Sequence, residues 1–448
     1  MDPADAHPRD RLARELSLAD ATLLVVSSVI GSGIFLTPGR VADLLPDARL
    51  ILAAWLAGGL LSLAGALANA ELGAMYPRAG GDYVYLREAF HPAAGFLVGW
   101  LSFFVIYAGS IATLAAATAE ALAPFLPAAG AHPVAAAIGA TVVVSAINYR
   151  GVRGAAFLND VAGVLKVAAL AAFAVAGSLA ARRILPALGA LHAPAPVPAS
   201  AFGVALSPVL FTYLGWNAPV YVASELRDPE RNLPRALLGG LAVCTAVYLL
   251  VNAVYLLALP IERLRGTVNV GAAAAAALFG PAAGTVVAAF VLVSVVGTLD
   301  AMILVGPRIA YAMALDGLFF GRAEDVHPRF GTPHRAIVVQ GGVVVALLAL
   351  LRTFPSILDY TTFAIVLATM ADTVALYALR RGRPELPRPH RAWGYPVVPA
   401  LYLVANAAIA VAMLITRTVE CVAAIAVVAA ALPFYLVFSR STTSAPPR

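Results

Sequence analysis

Charged side chains are scarce in this sequence: Asp, Glu, Lys and Arg make up only 12% of its 448 residues, whereas 61% are hydrophobic. The mean hydropathy of +0.86 excludes a soluble globular protein and indicates an integral membrane protein. Cysteine is almost absent too. Cys244 and Cys421 both lie in apolar segments, which favours small core residues over a disulfide or a metal-binding pair.

Histidine is also missing where membrane-embedded chemistry would need it. All seven histidines lie at the ends of apolar segments or in loops, and no His-x-x-x-His, paired-Asp or Ser/His arrangement falls inside such a segment. This argues against metal, haem or protease chemistry within the membrane. We therefore expect no enzymatic activity, no metal and no cofactor.

What the sequence does contain is a series of long apolar segments, about twelve of them with roughly the 20 residues that a membrane span needs. They predict an all-α polytopic membrane protein without a separate soluble domain. Two short helices are predicted between spans, at 81–90 and 268–279. The predicted spans are 18–40, 49–76, 92–123, 132–149, 154–181, 201–224, 234–259, 284–313, 335–351, 355–379, 396–416 and 420–439.

The distribution of arginine tests this number of spans. With the N-terminus in the cytoplasm, the inner segments hold 21 arginines and the outer segments hold 8, which together with Lys166 account for the 30 basic residues. Because inner loops carry the excess of positive charge, the bias predicts twelve spans with both termini inside. No signal-peptide pattern precedes the first span. We expect a multi-pass protein of the cell (inner) membrane.

The first span contains Gly31-Ser32-Gly33 near its centre. Each glycine costs about 1 kcal/mol of helix propensity relative to alanine, and backbone that leaves a helix at this depth finds no partner in lipid. Two roles tolerate such a sequence: close packing of helices through small residues, or an opened helix whose free backbone groups bind a polar solute.

The sixth span contains the second irregularity. Pro208 and Pro219, eleven positions apart, flank a polar and aromatic run. Each proline removes a donor and disturbs a carbonyl one turn earlier, which is consistent with a simple kink or with a second opening. If spans one to five repeat, inverted, as spans six to ten, both irregular helices take equivalent positions, which indicates a transporter site.

Two opened helices would suit a zwitterion. Freed N–H groups at residues 31–33 begin a half-helix and favour a carboxylate. Freed carbonyls at residues 27–30 and 210–213 favour an ammonium group. The combination predicts an α-amino acid as substrate. Phe211 either closes over this substrate or packs in the core or against lipid.

Several motifs follow one another along the chain: Gly31-Ser32-Gly33-Ile34-Phe35, Ala70-Glu71-Leu72-Gly73, Gly80-Gly81-Asp82-Tyr83, Leu210-Phe211-Thr212-Tyr213-Leu214-Gly215-Trp216-Asn217, Ser224-Glu225-Leu226, Pro229-Glu230-Arg231-Asn232-Leu233-Pro234, Arg308-Ile309-Ala310-Tyr311 and Asp316-Gly317. Their type and order resemble the amino acid–polyamine–organocation (APC) superfamily, and within it the L-amino-acid transporter (LAT) branch. The resemblance implies a LeuT-type 5+5 inverted repeat with broken first and sixth helices.

The resemblance also implies a division of the chain. It predicts a cytoplasmic segment at 1–17, a transport core at 18–379 with repeats at 18–181 and 201–379, two accessory transmembrane helices at 396–439, and a cytoplasmic tail at 440–448. The substrate contacts that it implies, together with those expected from the opened backbone, are Ile30, Gly31, Ser32, Gly33, Phe211, Tyr213 and Asn217. The branch usually has glycine where this chain has Leu214, which favours small substrates unless that side chain points away.

Lys166 is the only lysine of the chain and lies in the fifth span, between Arg153 and Arg182. About 20 Å of helix separate it from the inner arginine, so its ammonium group is too deep to reach the surface. An ammonium at this depth costs about 2.5–3.5 kcal/mol on insertion scales, so it needs an interior partner, in a structural ion pair or in a functional site. By resemblance, sodium-independent members carry such a lysine where relatives bind sodium, and Asp300 falls near a sodium-ligand position. We predict that Lys166 and Asp300 form a coupling site, in contact directly or through one polar group.

Together these observations predict sodium-independent transport of small or neutral L-amino acids across the cell membrane, by exchange or facilitated diffusion. Proton symport through Lys166 or Asp300 is the close alternative, and a non-transporting amino acid sensor is a further one. A cationic substrate would need an acid in the pocket, and none lies beside residues 31–33 or 211–216. Of the other acids in spans, Glu120 and Asp372 are expected to be solvated or locally paired.

The partners expected from the sequence are the amino acid and the lipid bilayer, without nucleic acid. Animal relatives are linked to a partner subunit through a disulfide, by resemblance, and this chain has no cysteine on its predicted outer surface. We therefore expect it to work without an obligatory partner subunit.

Overall fold

The computed structural model describes residues 12–31, 33–123, 125–184, 199–267, 269–351 and 354–443. Within these ranges the chain is helical and contains no strand. The first part of the chain forms α1 (Leu18–Val29), α2 (Gly33–Leu44), α3 (Ala48–Met75), α4 (Asp82–Ala89), α5 (Pro92–Leu101), α6 (Ala108–Leu122), α7 (Pro127–Ala131), α8 (Pro133–Tyr149) and α9 (Val152–Ile184). A π-helical stretch, Ser102–Tyr107, joins α5 to α6 in one continuous span.

The second part of the chain continues in the same way. Its helices are α10 (Ala199–Tyr213), α11 (Ala218–Tyr221), α12 (Pro229–Ala258), α13 (Ile261–Leu264), α14 (Val270–Phe279), α15 (Ala282–Leu315), α16 (His334–Leu351), α17 (Phe354–Gly382), α18 (Val397–Thr416) and α19 (Thr418–Thr443). Each of the twelve predicted spans coincides with one of these helices or with a broken pair, and the short helices predicted at 81–90 and 268–279 are α4 and α14. In the described ranges, eight helices are long and apolar enough to cross a membrane.

Local sequence sets several helix starts. The Ser17 hydroxyl accepts the N–H of Asp20 at 3.3 Å, while the Asp20 carboxylate accepts the N–H of Ser17 at 2.6 Å. This reciprocal capping box begins α1. Asp47 caps α3 by accepting the N–H of Arg49 at 2.7 Å. Proline at the first position begins α5, α8 and α12, where its missing N–H is no loss.

Both predicted interruptions are confirmed. The first span is split between α1 and α2, and the sixth span is split between α10 and α11 by a turn at residues 214–217. The two interrupted spans pack together, since α10 lies against α2. Around them pack α3, α9, α12 and α15, whereas α18 and α19, the least buried of the eight long apolar helices, pack against α3, α5 and α17. The structure is therefore an all-α polytopic membrane protein built around two broken helices.

Candidate functional site

The first interruption leaves carbonyl groups without their helical donors. The N–H of Gly31 turns back to the carbonyl of Val29 at 2.9 Å, so it no longer reaches the carbonyl of Ser27 one turn earlier. Side chains from three neighbouring helices donate hydrogen bonds to these carbonyls instead. Lys166 on α9 donates its Nζ to the Ser27 carbonyl at 2.8 Å, and Tyr248 on α12 donates its hydroxyl to the Val29 carbonyl at 2.9 Å.

Two hydroxyls one turn apart on α15 complete this capping. Thr298 Oγ1 lies 2.9 Å from the Ser27 carbonyl and 2.9 Å from Lys166 Nζ. Ser294 donates its hydroxyl to the Ile30 carbonyl at 3.2 Å. All of these side chains are buried. The freed carbonyls at residues 27–30 were expected to bind an ammonium group of the substrate. Protein donors already occupy three of these four carbonyls, so only the remaining one is available for that role.

The second interruption lies directly against the first. Gly215 has a left-handed φ of +98°, and a Cβ atom there would approach the Ser28 carbonyl to 2.9 Å. Only glycine fits this turn without strain. Tyr248 joins the two breaks, since its hydroxyl contacts the carbonyl of Val29 at 2.9 Å and that of Thr212 at 3.0 Å. The N–H of Leu214 bonds to the Phe211 carbonyl, which frees the carbonyl of Leu210 from its helical donor.

A cavity of about 130 Å³ opens between the two breaks. An engineered cavity of about 150 Å³ accommodates benzene, so this one suits a solute of similar size, such as a small amino acid. The first N–H groups of α2 lie at its edge, as a carboxylate would require. Its lining residues are contributed by both breaks and by the third, eighth and tenth spans, and include Ser28, Gly31, Gly33, Tyr107, Ser110, Thr113, Phe211, Leu214, Asn217, Thr298 and Thr361.

Four of the predicted contact residues line this cavity: Gly31, Gly33, Phe211 and Asn217. Two others point elsewhere. Ile30 is fully buried and is absent from the lining, and Tyr213 donates its hydroxyl to the Trp55 carbonyl at 3.0 Å, with its ring against Trp55 and Tyr248. Ser32 lies outside the described residues. Leu214 does line the cavity, which makes its difference from the usual glycine relevant to substrate size.

The predicted contact between Lys166 and Asp300 is wrong. Lys166 bonds to Ser27 and Thr298, whereas Asp300 Oδ1 accepts from Asn148 Nδ2 at 2.7 Å. In the described part of the chain, no single group bonds to both. Neither residue lines the cavity, although both are fully buried. Lys166 does not reach the cavity and contacts the broken helix through the Ser27 carbonyl.

Several residues of the site were not predicted from the sequence. Ser28 lines the cavity, and its buried hydroxyl has no hydrogen-bond partner. Ser110 and Thr113, and likewise Ser294 and Thr298, stand three and four positions apart within apolar helices. This spacing puts each pair on one helix face, which was the available signal.

An acid lines the cavity as well, contrary to the expectation that none would. Asp82 begins α4, is fully buried and accepts the hydroxyl of Tyr221 at 2.5 Å. Asp372 on α17 was expected to be solvated or locally paired. It is completely buried, and its Oδ2 atom accepts a hydrogen bond from Asn69 Nδ2 at 3.2 Å. The carboxyl groups of Asp82 and Asp372 lie close together. This could not be predicted from the sequence, because the two residues belong to distant parts of the chain.

The end of the bundle next to residue 16 is closed by polar contacts. The backbone of Leu16 pairs with that of Leu226, and the buried Glu225 carboxylate pairs with Arg308 at 2.7 Å. The Glu71 carboxylate accepts a hydrogen bond from Arg380 Nε at 2.9 Å. These contacts tie α3 and the segment after α11 to α17 and α15.

Comparison with known proteins agrees with this architecture. A family model described as amino acid permease matches residues 16–441. The serine/threonine exchanger SteT of Bacillus subtilis (strain 168) is 31% identical, over 96% of this chain and 98% of that protein. The b(0,+)-type amino acid transporter 1 of Homo sapiens is 29% identical, over 95% of this chain and 88% of that protein. The large neutral amino acids transporter small subunit 2 of Homo sapiens is 28% identical, over 95% and 80% respectively.

Proposed function

We propose that this chain, which belongs to the amino acid permease family of the APC superfamily, moves small neutral L-amino acids across the cell membrane by alternating access, without sodium, as an exchanger or a facilitator. The chain is a transporter and not an enzyme. The observation that carries the finer proposal is the meeting of two broken helices at one cavity. There the amides of α2 would receive the carboxylate, and Ser28 with the turn at residues 214–217 would receive the amino group.

The packing of the two halves supports alternating access between inverted repeats at 18–181 and 201–379. If span one corresponds to span six, then α2 faces α10, α3 faces α12, α6 faces α15 and α8 faces α16, and each of these pairs is in contact. We propose that the contacts around Leu16, Glu225 and Glu71 keep one side of the cavity closed, as one state of such a cycle requires. We assign this closed side to the cytoplasm, together with both termini.

The position of Lys166 supports the proposal of sodium independence. In broken-helix transporters, unwound carbonyls and half-helix ends hold the coupling cation. Here the carbonyl of Ser27 and the hydroxyl of Thr298 receive the Lys166 ammonium instead, at 2.8 and 2.9 Å. The Lys166 side chain thus occupies two of the oxygens that a sodium ion would need in this place.

The first prediction is therefore that sodium has no effect on uptake. Purified protein in liposomes loaded with unlabelled amino acid should take up labelled serine or threonine by counterflow, at the same initial rate in sodium and in choline buffer. A panel of amino acids on both sides distinguishes exchange from facilitated diffusion. Uptake that requires a sodium gradient would contradict sodium independence, and binding without counterflow would favour the sensor.

Leu214 is expected to limit substrate size. Its side chain lines the cavity, and one relative is named as a serine/threonine exchanger, so we propose small substrates. Leu214→Gly should raise the uptake of leucine or phenylalanine relative to serine by about tenfold, since single-methylene differences in a pocket discriminate about 10- to 200-fold. Competition of each amino acid against labelled serine measures this preference.

The control for this prediction is Leu214→Met, which preserves volume and should leave the preference unchanged. An unaltered preference in Leu214→Gly would mean that other residues determine substrate size.

We propose further that the chain needs no obligatory partner subunit. The human relative is named as a small subunit, but both cysteines of this chain are buried, so neither is accessible for an intermolecular disulfide. Counterflow by the purified chain alone tests this point.

Proton symport is the second candidate function, and it is favoured by the carboxylate of Asp82 on the cavity wall.

A further inference from the structure

We propose that Asp82 and Asp372 form a proton-binding pair at one end of the cavity, and that the proton they share is linked to substrate through Tyr221 and Asn217. The inference deepens the proposed function and rests on it for the coupling to transport. The binding of the proton is a separate property of the pair, and it is measurable without transport.

The first argument is the proximity of the two acids. Asp82 at the start of α4 and Asp372 on α17 are both 0% exposed. Their carboxyl groups lie within hydrogen-bonding reach of each other. Ionised carboxylates only accept hydrogen bonds, so a contact between two of them requires a proton on one. Two carboxylates at this range cannot both stay ionised.

The second argument is the absence of a compensating cation. In the described ranges, no Lys, Arg or His side chain forms a hydrogen bond or ion pair with either carboxyl group. Arg380, two turns along α17 from Asp372, is held by Glu71 at 2.9 Å. Lys166 is committed to Ser27 and Thr298. A buried carboxylate pair without a cation is expected to retain a proton.

The hydrogen bonds around the pair indicate where that proton lies. Asp82 Oδ2 accepts from Tyr221, and Asp372 Oδ2 accepts from Asn69 Nδ2. The Oδ1 atom of each carboxyl group is buried and has no other partner. One oxygen of each acid is thus left to share the proton. Loading the pair forms one O–H bond with a proton from the aqueous phase, and no electron is transferred.

The same residues connect the pair to the substrate cavity. Asp82, Tyr221 and Asn217 all line it. Asn217 Nδ2 donates to the Tyr221 hydroxyl at 3.4 Å, and that hydroxyl donates to Asp82. When the proton leaves, the pair gains a second negative charge, which Tyr221 and Asn217 are placed to solvate from the side of the cavity. Tyr221 and Asn217 would then reorient, which changes the cavity that the substrate contacts.

The other titratable groups near the pair do not compete for this role. Tyr85 from α4, Tyr107 from the π-helical stretch and Tyr402 from α18 face it, in addition to Tyr221. A phenol ionises only near pH 10, at about its ordinary pKa, and burial does not favour its ionised form. The carboxyl pair is the group of this cluster that is expected to exchange a proton near neutral pH.

Infrared difference spectroscopy of the detergent-purified protein tests the proton directly. The carbonyl-stretch band of the protonated pair is expected at neutral pH in the wild type. It should shift in Asp82→Asn and in Asp372→Asn, because a buried acid remains in each, and its contribution should be lost in the double variant. The matched control is Glu120→Gln, which makes the same kind of replacement at an acid that is exposed at the end of α6, and it should leave the band unchanged. A carbonyl-stretch region that is identical in the wild type and in the double variant would overturn the proposal.

Counterflow between about pH 5 and pH 8 tests the coupling. Wild-type exchange should fall at least about fivefold as the pH rises, a typical size for coupling between two sites. Asp372→Asn, which resembles the protonated form, should flatten the profile. Lys166→Met should not flatten it, and a profile that responds to Lys166 rather than to the Asn variants would overturn the coupling. If the wild type exchanges no amino acid at any pH, the proposed function fails together with the coupling, and the infrared band alone decides the proton pair.

Discussion

Replacing Lys166 by methionine is expected to reduce amino acid exchange at least about tenfold, which corresponds to about 1.4 kcal/mol. The Lys166 ammonium caps the Ser27 carbonyl at 2.8 Å and the Thr298 hydroxyl at 2.9 Å, in a site that is 0% exposed. Without Lys166 the Ser27 carbonyl keeps only the Thr298 hydroxyl as a side-chain donor, and a hydrogen bond to a charged group contributes about 1.5–3 kcal/mol. Methionine preserves the length of the side chain, so the loss falls on the hydrogen bonds and the charge. Initial counterflow rates in liposomes measure it.

The control for Lys166 is on the same helix. Arg153→Gln removes an ion pair with Glu15 at 3.2 Å, where the arginine side chain is 82% exposed, and exposed pairs contribute little to stability. Its exchange rate should stay within the scatter of the wild type. Lys166→Met protein that elutes as a monodisperse peak yet keeps its rate would show that the ammonium is dispensable for transport. Restored exchange in the presence of sodium would instead identify the site as one that any cation can fill.

Gly33→Ala is expected to abolish exchange for a steric reason. A Cβ atom on Gly33 would lie 2.4 Å from the Cγ2 atom of Thr212, where the start of α2 meets the end of α10. Both atoms belong to short side chains on backbone that is held by other contacts, so neither can swing away. Overpacking of this kind costs about 1–3 kcal/mol and would separate the two broken helices that form the cavity.

A companion substitution checks that the contact itself is responsible. Thr212→Ser removes the Cγ2 atom, so the double variant with Gly33→Ala should regain part of the exchange. Gly203→Ala is the control on α10, because a Cβ atom there meets nothing within 4 Å. It should be silent or slightly stabilising, since alanine favours a helix more than glycine does. Normal exchange by Gly33→Ala alone would mean that the two half-helices are less closely held than the structure indicates.

The two breaks could be predicted because their causes are local. Glycine in residues 31–33 and the flanking Pro208 and Pro219 weaken a helix wherever the rest of the chain lies. The number of spans likewise follows from runs of apolar residues and from arginine placement, both of which can be counted. The first span breaks at residues 30–31 and the sixth at 214–217, just before Pro219, whereas Pro208 lies inside α10, which continues past it to Tyr213.

Predictions that depended on the rotation of a helix were less successful. Residues 298 and 300 are separated by about 200° around a helix, so only one of them can face Lys166. The structure gives that position to Thr298 and turns Asp300 towards Asn148. Tyr213 is directed away from the cavity for the same reason, while its neighbour Thr212 lines it.

The sequence by itself therefore determined the class of protein, the order of its spans and the two places where helices open, because hydropathy, arginine distribution and helix-breaking residues act within a few turns of chain. Only the tertiary structure decided which side chains cap the opened backbone, and only it brought Asp82 next to Asp372. Those contacts join residues up to 290 positions apart, and their formation depends on how whole helices are rotated and packed against one another.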